Sequence, residues 1–165
     1  MVRTACILVA TLAACGGAPK PSDKAPPAPA PAPAAFRDMN HDQKLAYMKD
    51  VVMPAMAKTF SAFDPKKFGD TTCKLCHGKG ADDGDFDMPN AELPKLPDEE
   101  HFPAYMQDPE HGRWAKFMIE TVTPQMADLL HEKKFDMATK TGFSCAACHT
   151  IEGVPVPAHD HDHHH

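Results

Sequence analysis

Cys73-Lys74-Leu75-Cys76-His77 and Cys145-Ala146-Ala147-Cys148-His149 are the stretches on which the reading of this chain turns. Each holds two thiols three positions apart with an imidazole directly after the second. The chain has 165 residues and six cysteines, and the other two, Cys6 and Cys15, sit at the amino terminus. That length allows one domain or two very small ones and excludes a large enzyme. With 17 Pro but only 1 Trp and 2 Tyr, and a mean hydropathy of −0.42, the apolar content is modest for a core that must close unaided. The formal net charge of −6, from 23 acidic and 17 basic residues, argues against nucleic acid or an anionic bilayer surface as partner.

The amino terminus reads as an export signal. Arg3 supplies positive charge, and Ala5 to Ala14 forms an apolar run too short for a bilayer, which needs about 20 residues. Leu12-Ala13-Ala14-Cys15 before Gly16 resembles the lipobox of bacterial lipoproteins, which implies cleavage after residue 14 and a lipid on Cys15; an ordinary cleaved signal is the alternative. Such lipids anchor a protein to a membrane without spanning it. The mature chain would carry 16 basic and 23 acidic residues, a net −7, because Arg3 leaves with the signal. Residues 16–35 contain seven Pro and seven Ala. They read as a disordered, extended tether within a 15–35 segment, with a reach of about 60 Å at about 3.1 Å per residue.

With Cys6 removed and Cys15 lipidated, the two Cys-x-x-Cys-His motifs account for every remaining cysteine. Each is an attachment signature for c-type haem: the thiols form thioethers to the vinyl groups and the histidine becomes an axial ligand of iron. The expectation is two covalently bound haem c, held by Cys73, Cys76 and His77 and by Cys145, Cys148 and His149. Two disulfides, or a zinc site built from the Cys pairs, are the rivals. Neither accounts for a histidine after both pairs. Two apolar macrocycles would supply core that the side chains lack.

The motifs sit in an internal repeat. Tyr47-Met48-Lys49-Asp50-Val51-Val52-Met53-Pro54-Ala55-Met56-Ala57 matches Phe117-Met118-Ile119-Glu120-Thr121-Val122-Thr123-Pro124-Gln125-Met126-Ala127 at an offset of 70, while the cysteines recur at 72. Each unit therefore reads as helix, connection, Cys-x-x-Cys-His. Asn40 with Gln43, and Asp108 before Pro109, are helix starts. Leu45, Met48, Val52, Met56, Thr59 and Phe63 form one apolar stripe, and Trp114, Met118, Val122, Met126 and Leu129 the other. Pro54 and Pro124 free the carbonyls of Asp50 and Glu120, so a kink is expected there. The fold expected is mainly α: a small haem-dominated domain at 36–158, made of two pseudo-symmetric units at about 40–90 and 108–153 with extensive loops, followed by a His-rich tail at 159–165.

Each iron has a second axial position, which takes methionine, histidine or a small ligand. Thr150 to His165 contains no methionine, so the second iron draws its partner from upstream or from the tail histidines. Met56 and Met126, 17 and 19 residues before Cys73 and Cys145, are the favoured pair; Met48 and Met118, 25 and 27 before, are the alternative. Met88, in Phe86-Asp87-Met88-Pro89-Asn90, is a rival for the first iron alone. Met53, Met106 and Met137 lack counterparts and read as packing. His111 and His131 read as exposed polar-face residues.

On these residues the chain resembles the repeat unit of the cytochrome subunit of bacterial photosynthetic reaction centres, over roughly 40–80 and 110–153. In that family a helix bearing the distal methionine precedes a turn and the Cys-x-x-Cys-His motif. The resemblance implies His77 and His149 as proximal ligands and one methionine of each paired helix as distal ligand. This chain has two motifs where that family has four.

The function expected is single-electron transfer by a lipid-anchored dihaem cytochrome c in the bacterial cell envelope, with its domain in the periplasm, and not an enzyme. Its partners would be redox proteins; the acidic stretch Asp82, Asp83, Asp85 and Asp87 reads as a solvated loop, with a docking patch for a basic redox protein as the alternative. The alternatives are a haem enzyme acting on peroxide or a nitrogen oxide through a five-coordinate iron, and a gas-binding or sensing module. Cys15→Ser is expected to move the protein from the membrane to the soluble fraction of fractionated cells; undiminished membrane retention would exclude the anchor.

Overall fold

The computed structural model describes residues 35–156, and the chain divides between Ala32 and Pro33, which puts all of them in the second part. The expected signal at 1–14, Cys15, the tether up to residue 34 and the tail at 159–165 lie outside the described residues. Ala35, the last residue of the Pro/Ala tract, has φ −60° and ψ 143°, the polyproline II geometry.

Helix makes up 57% of the described residues, and they contain no strand, in keeping with the mainly α expectation. Two copies of one arrangement dominate: α1 (His41–Tyr47), a π-helical turn (Met48–Val52) and α2 (Met53–Phe63) in the first. Short helices α3 (Pro65–Phe68), α4 (Lys74–His77) and α5 (Phe102–Gln107) follow. The second copy is α6 (Pro109–Phe117), a π-helical turn (Met118–Val122) and α7 (Thr123–Leu129).

Both starts follow from capping chemistry. The Asn40 side chain accepts the Gln43 N–H at 2.9 Å and Gln43 Oε1 accepts the Asn40 N–H at 3.0 Å, so two orphan donors are satisfied reciprocally. Asp108 Oδ1 accepts the N–H groups of Glu110 and His111 at 2.9 and 2.8 Å, and Pro109 occupies a position where no N–H is needed.

The expected break before each proline takes the form of a widened turn. Pro54 and Pro124 offer no N–H to the carbonyls four residues back, and the next donors reach further: Met53 N–H bonds the Met48 carbonyl and Thr123 N–H the Met118 carbonyl. Each is the five-residue closure of a π-turn. A widened turn changes which residues line up. The apolar face continues at a spacing of four, through Met48, Val52, Met56 and Phe60 and through Met118, Val122, Met126 and Leu130, all within the core. Phe60 therefore replaces the expected Thr59, whose hydroxyl instead lies 2.7 Å from Gln125 Oε1 of α7.

Nine apolar side chains are buried among the described residues. The closest packing is an aromatic seam joining the units. Phe63 stacks on Phe117 at 3.9 Å and 7°, while Phe60 meets Phe117 and Phe68 edge-on at 5.4 and 5.0 Å. Trp114 closes the seam against Phe63 and Phe68 at 5.0 and 5.7 Å, preferred geometries for ring pairs. Near the other end, the Tyr47 hydroxyl donates to the Leu129 carbonyl at 2.6 Å, satisfying a helix C-terminal acceptor.

The units diverge after their helix pairs. In the first, Asp64 accepts the Lys67 N–H at 3.2 Å and caps α3. In the second, paired bridges Lys134 to Phe143 and Asp136 to Thr141 replace that helix, so the two extra residues are absorbed in a non-helical loop. Phe60→Ala is expected to lower stability by about 3–5 kcal/mol, read from denaturant midpoints; a loss under about 1 kcal/mol would show that the seam does not hold the units together.

Candidate functional site

The two Cys-x-x-Cys-His motifs fold by the same local rule. In α4 the His77 N–H donates to the Cys73 carbonyl at 3.0 Å, and in the 3-10 turn Cys145–Ala147 the His149 N–H donates to the Cys145 carbonyl at 2.8 Å. One helical turn thus gathers both thiols and the imidazole on one side. Gly78 follows His77 at φ 62°, a left-handed position that suits glycine.

Both motifs open on one largely apolar cavity of about 1480 Å³, lined by all six motif residues and by Met48, Met56, Met88, Met118 and Met126. Pockets for a single drug-sized ligand run to about 300–1,000 Å³, so this volume admits something larger. All five candidate distal methionines are therefore at the cavity wall, while the tail histidines lie outside the described residues. Met53 is there too, against its reading as packing. Thr123, its counterpart in the second unit, places its hydroxyl beside the Cys145 thiol. Met137 is not packing material either: it is 72% exposed. His131 is exposed and away from the cavity wall, whereas His111 is exposed but at the rim, joined there by His41. The offset of 70 pairs His41 with His111, a signal present in the repeat that the motif search passed over.

The histidines are oriented from behind. His149 Nδ1 lies 2.9 Å from the Pro94 carbonyl; a carbonyl only accepts, so Nδ1 carries the proton and Nε2 keeps its lone pair. Phe86 packs edge-on against the His77 ring at 5.2 Å and 86°. His77 Nδ1 is buried without a hydrogen-bond partner of normal geometry, though the Phe86 carbonyl is close enough to favour the protonated ring. Burial outweighs that and lowers the His77 pKa, with Asp85 opposing; the ring is held neutral, as a metal ligand must be.

Burial also favours the neutral thiol at Cys76, Cys145 and Cys148. Burial first, and then Cys73, push Cys76 up to about 11. Burial, and then Cys76 and Cys145, push Cys148 up to about 12, which also reveals that the second cysteines of the two motifs are neighbours. Burial raises Cys145 against the Thr123 hydroxyl. All four sulfurs are free thiols, and among the described residues no group of three or more His, Cys, Asp and Glu converges to hold a metal ion. A structural zinc site takes four ligands around one point. Two sulfurs and one imidazole from each motif, on the wall of one largely apolar cavity, instead fit a porphyrin held by thioethers with a histidine nitrogen on its iron.

One irregular segment braces both motifs, a role that its spacing in the sequence does not disclose. Asn90 donates its N–H to the Cys148 carbonyl at 2.9 Å and its side-chain Nδ2–H to the Cys76 carbonyl at 3.0 Å. Leu96 N–H then donates to Thr150 O at 3.0 Å and Glu152 N–H to Leu96 O at 2.9 Å. Long-range pairing of an irregular segment leaves no periodic trace in composition. The acidic stretch lies beside the first motif, with Asp82 paired to Lys74 at 2.6 Å and Asp83 and Asp85 at the cavity wall. Among the described residues no helix is long and apolar enough to cross a membrane. Comparisons with protein-family models, with curated proteins and with solved structures give no match, so the geometry stands alone.

Proposed function

We propose that this chain is a dihaem c-type cytochrome that carries single electrons, anchored at a bacterial membrane through Cys15 with its folded domain in the periplasm. The observation that carries the reading is the convergence of two Cys-x-x-Cys-His motifs and two repeat-related pairs of methionines on one apolar cavity. Cys73 and Cys76, and Cys145 and Cys148, would each attach one haem, which supplies reversible one-electron chemistry at iron. His77 and His149 would be the proximal ligands, and the Pro94 carbonyl, by accepting from His149 Nδ1, leaves Nε2 of that ring for the iron.

Met56 and Met126 are the favoured distal ligands. Each lies on the apolar face just beyond its π-turn, and Met56 is only 4% exposed. Met48 and Met118 lie two helical turns earlier on the same face and remain the second pair, with Met88 a rival at the first motif. A methionine sulfur in a largely apolar cavity stabilises the less charged, reduced iron and so raises the potential. Packing and backbone bonds hold the imidazoles fixed, so little has to rearrange when the charge changes, which suits a carrier better than a catalyst. Basic redox proteins would approach at Asp82 to Asp87, beside the first motif.

The test is optical. Purified protein is expected to be low-spin at both haems in both oxidation states and indifferent to carbon monoxide. Met56→Ala and Met126→Ala are each expected to abolish the methionine-to-iron absorption of one haem and open it to carbon monoxide. A carbon monoxide response in the unaltered protein would favour a catalytic or sensing haem, and unchanged variants would transfer the ligand role to Met48 and Met118.

A further inference from the structure

Asn90 stands between the two attachment motifs and bonds to both. One segment, residues 86–96, bonds to both motifs. Asn90 ties the carbonyl of Cys76 to that of Cys148 through one residue, using its side-chain amide for the first at 3.0 Å and its backbone N–H for the second at 2.9 Å. The tie is itself braced. Asn90 Oδ1 accepts the Glu92 N–H at 2.8 Å, and Glu92 Oε2 accepts the Lys79 N–H at 3.1 Å. Four residues on, Pro94 O receives His149 Nδ1–H, and Leu96 continues the pairing along Thr150 and Glu152.

A Cβ on Gly78 would sit 2.7 Å from Glu92 Oε2 and 3.0 Å from Asn90 Nδ2, so the brace lies directly against the first motif. The two bonds of Asn90 thus bring the second cysteines of the motifs close together. A haem attached at each motif would therefore bring its Cys76 or Cys148 edge to a shared boundary.

We propose that Asn90 is a positioning residue that locks the two attachment motifs together, so that the haems form one electronically coupled pair rather than two independent carriers. The proposal rests on the dihaem reading above. The chemistry requires nothing beyond the two macrocycles: close, fixed chromophores share their excited states, and adding an electron to one raises the cost of adding an electron to the other. Asn90→Asp isolates the contribution, because the carboxylate keeps the acceptor for Glu92 and the backbone bond to Cys148 but loses the donor to Cys76.

The experiment is circular dichroism in the main haem absorption band of the full-length, haem-loaded protein, with a redox titration of the same samples. A paired band of opposite signs is expected in the unaltered protein, together with two separated one-electron steps. In Asn90→Asp, with both haems still attached by mass, the paired band is expected to weaken and the separation of the steps to change, while spin state and methionine ligation stay as they were. Haem-loaded protein with a single-signed band overturns the pairing, and an Asn90→Asp spectrum identical to the unaltered one overturns the role of Asn90. Should Asn90→Asp not load both haems, Asn90→Ser, which also loses the reach to Cys76, repeats the measurement; failure of both to load would make Asn90 a folding residue and overturn its positioning role. Protein that carries no haem at all would instead defeat the preceding reading.

Discussion

The stack of Phe63 on Phe117 at 3.9 Å, with Phe60, Phe68 and Trp114 set edge-on around it, is the contact on which the rest of the fold depends. It is where helices from the two repeat units press together, and the apolar faces that continue past it form the walls of the cavity. Lys67 lies 4.1 Å over the Trp114 ring and Arg113 4.5 Å over Phe63, so the outer side of the seam is covered by cations whose stems shield it from water. If the seam opened, α2 and α7 would no longer face a common space, and the two motifs would lose the shared wall that makes them one site.

Proline acts in this structure through the donor it lacks. With no N–H at Pro54 or Pro124, the hydrogen bonds before them reach one residue further and the helix widens rather than breaking. Widening sets the apolar residues at a spacing of four, which a regular helix would let drift round its axis. Met48 and Met56 then stand on one face, and so do Met118 and Met126. The same device appears at the same place in both units, so the repeat extends from sequence to backbone.

Much of this was legible in the residues. The Asn40 and Asp108 caps, the paired helices, the motifs and the methionines of both units are local or repeated patterns, and local chemistry decides them. The identity of the third buried side chain on the first stripe was not: a 3.6-residue period leads to Thr59, while the π-turn brings in Phe60. Met53 and Met137 were read alike because both lack a counterpart, yet one lines the cavity and the other is exposed on a loop; burial of a loop residue depends on partners far along the chain. The segment from Phe86 to Leu96 was hidden for the same reason. Its bonds run to residues more than fifty positions away in the second motif, and no spacing rule within eleven residues encodes them.

The proposal that two haems are attached stands or falls on four sulfurs. Protein purified from its own membrane and digested with a protease gives two decisive fragments, one with Cys73 and Cys76 and one with Cys145 and Cys148. The account predicts that each fragment weighs its peptide plus one iron porphyrin and absorbs visible light. Fragments at the mass of bare peptide, or lighter by two hydrogens as disulfides, would contradict it.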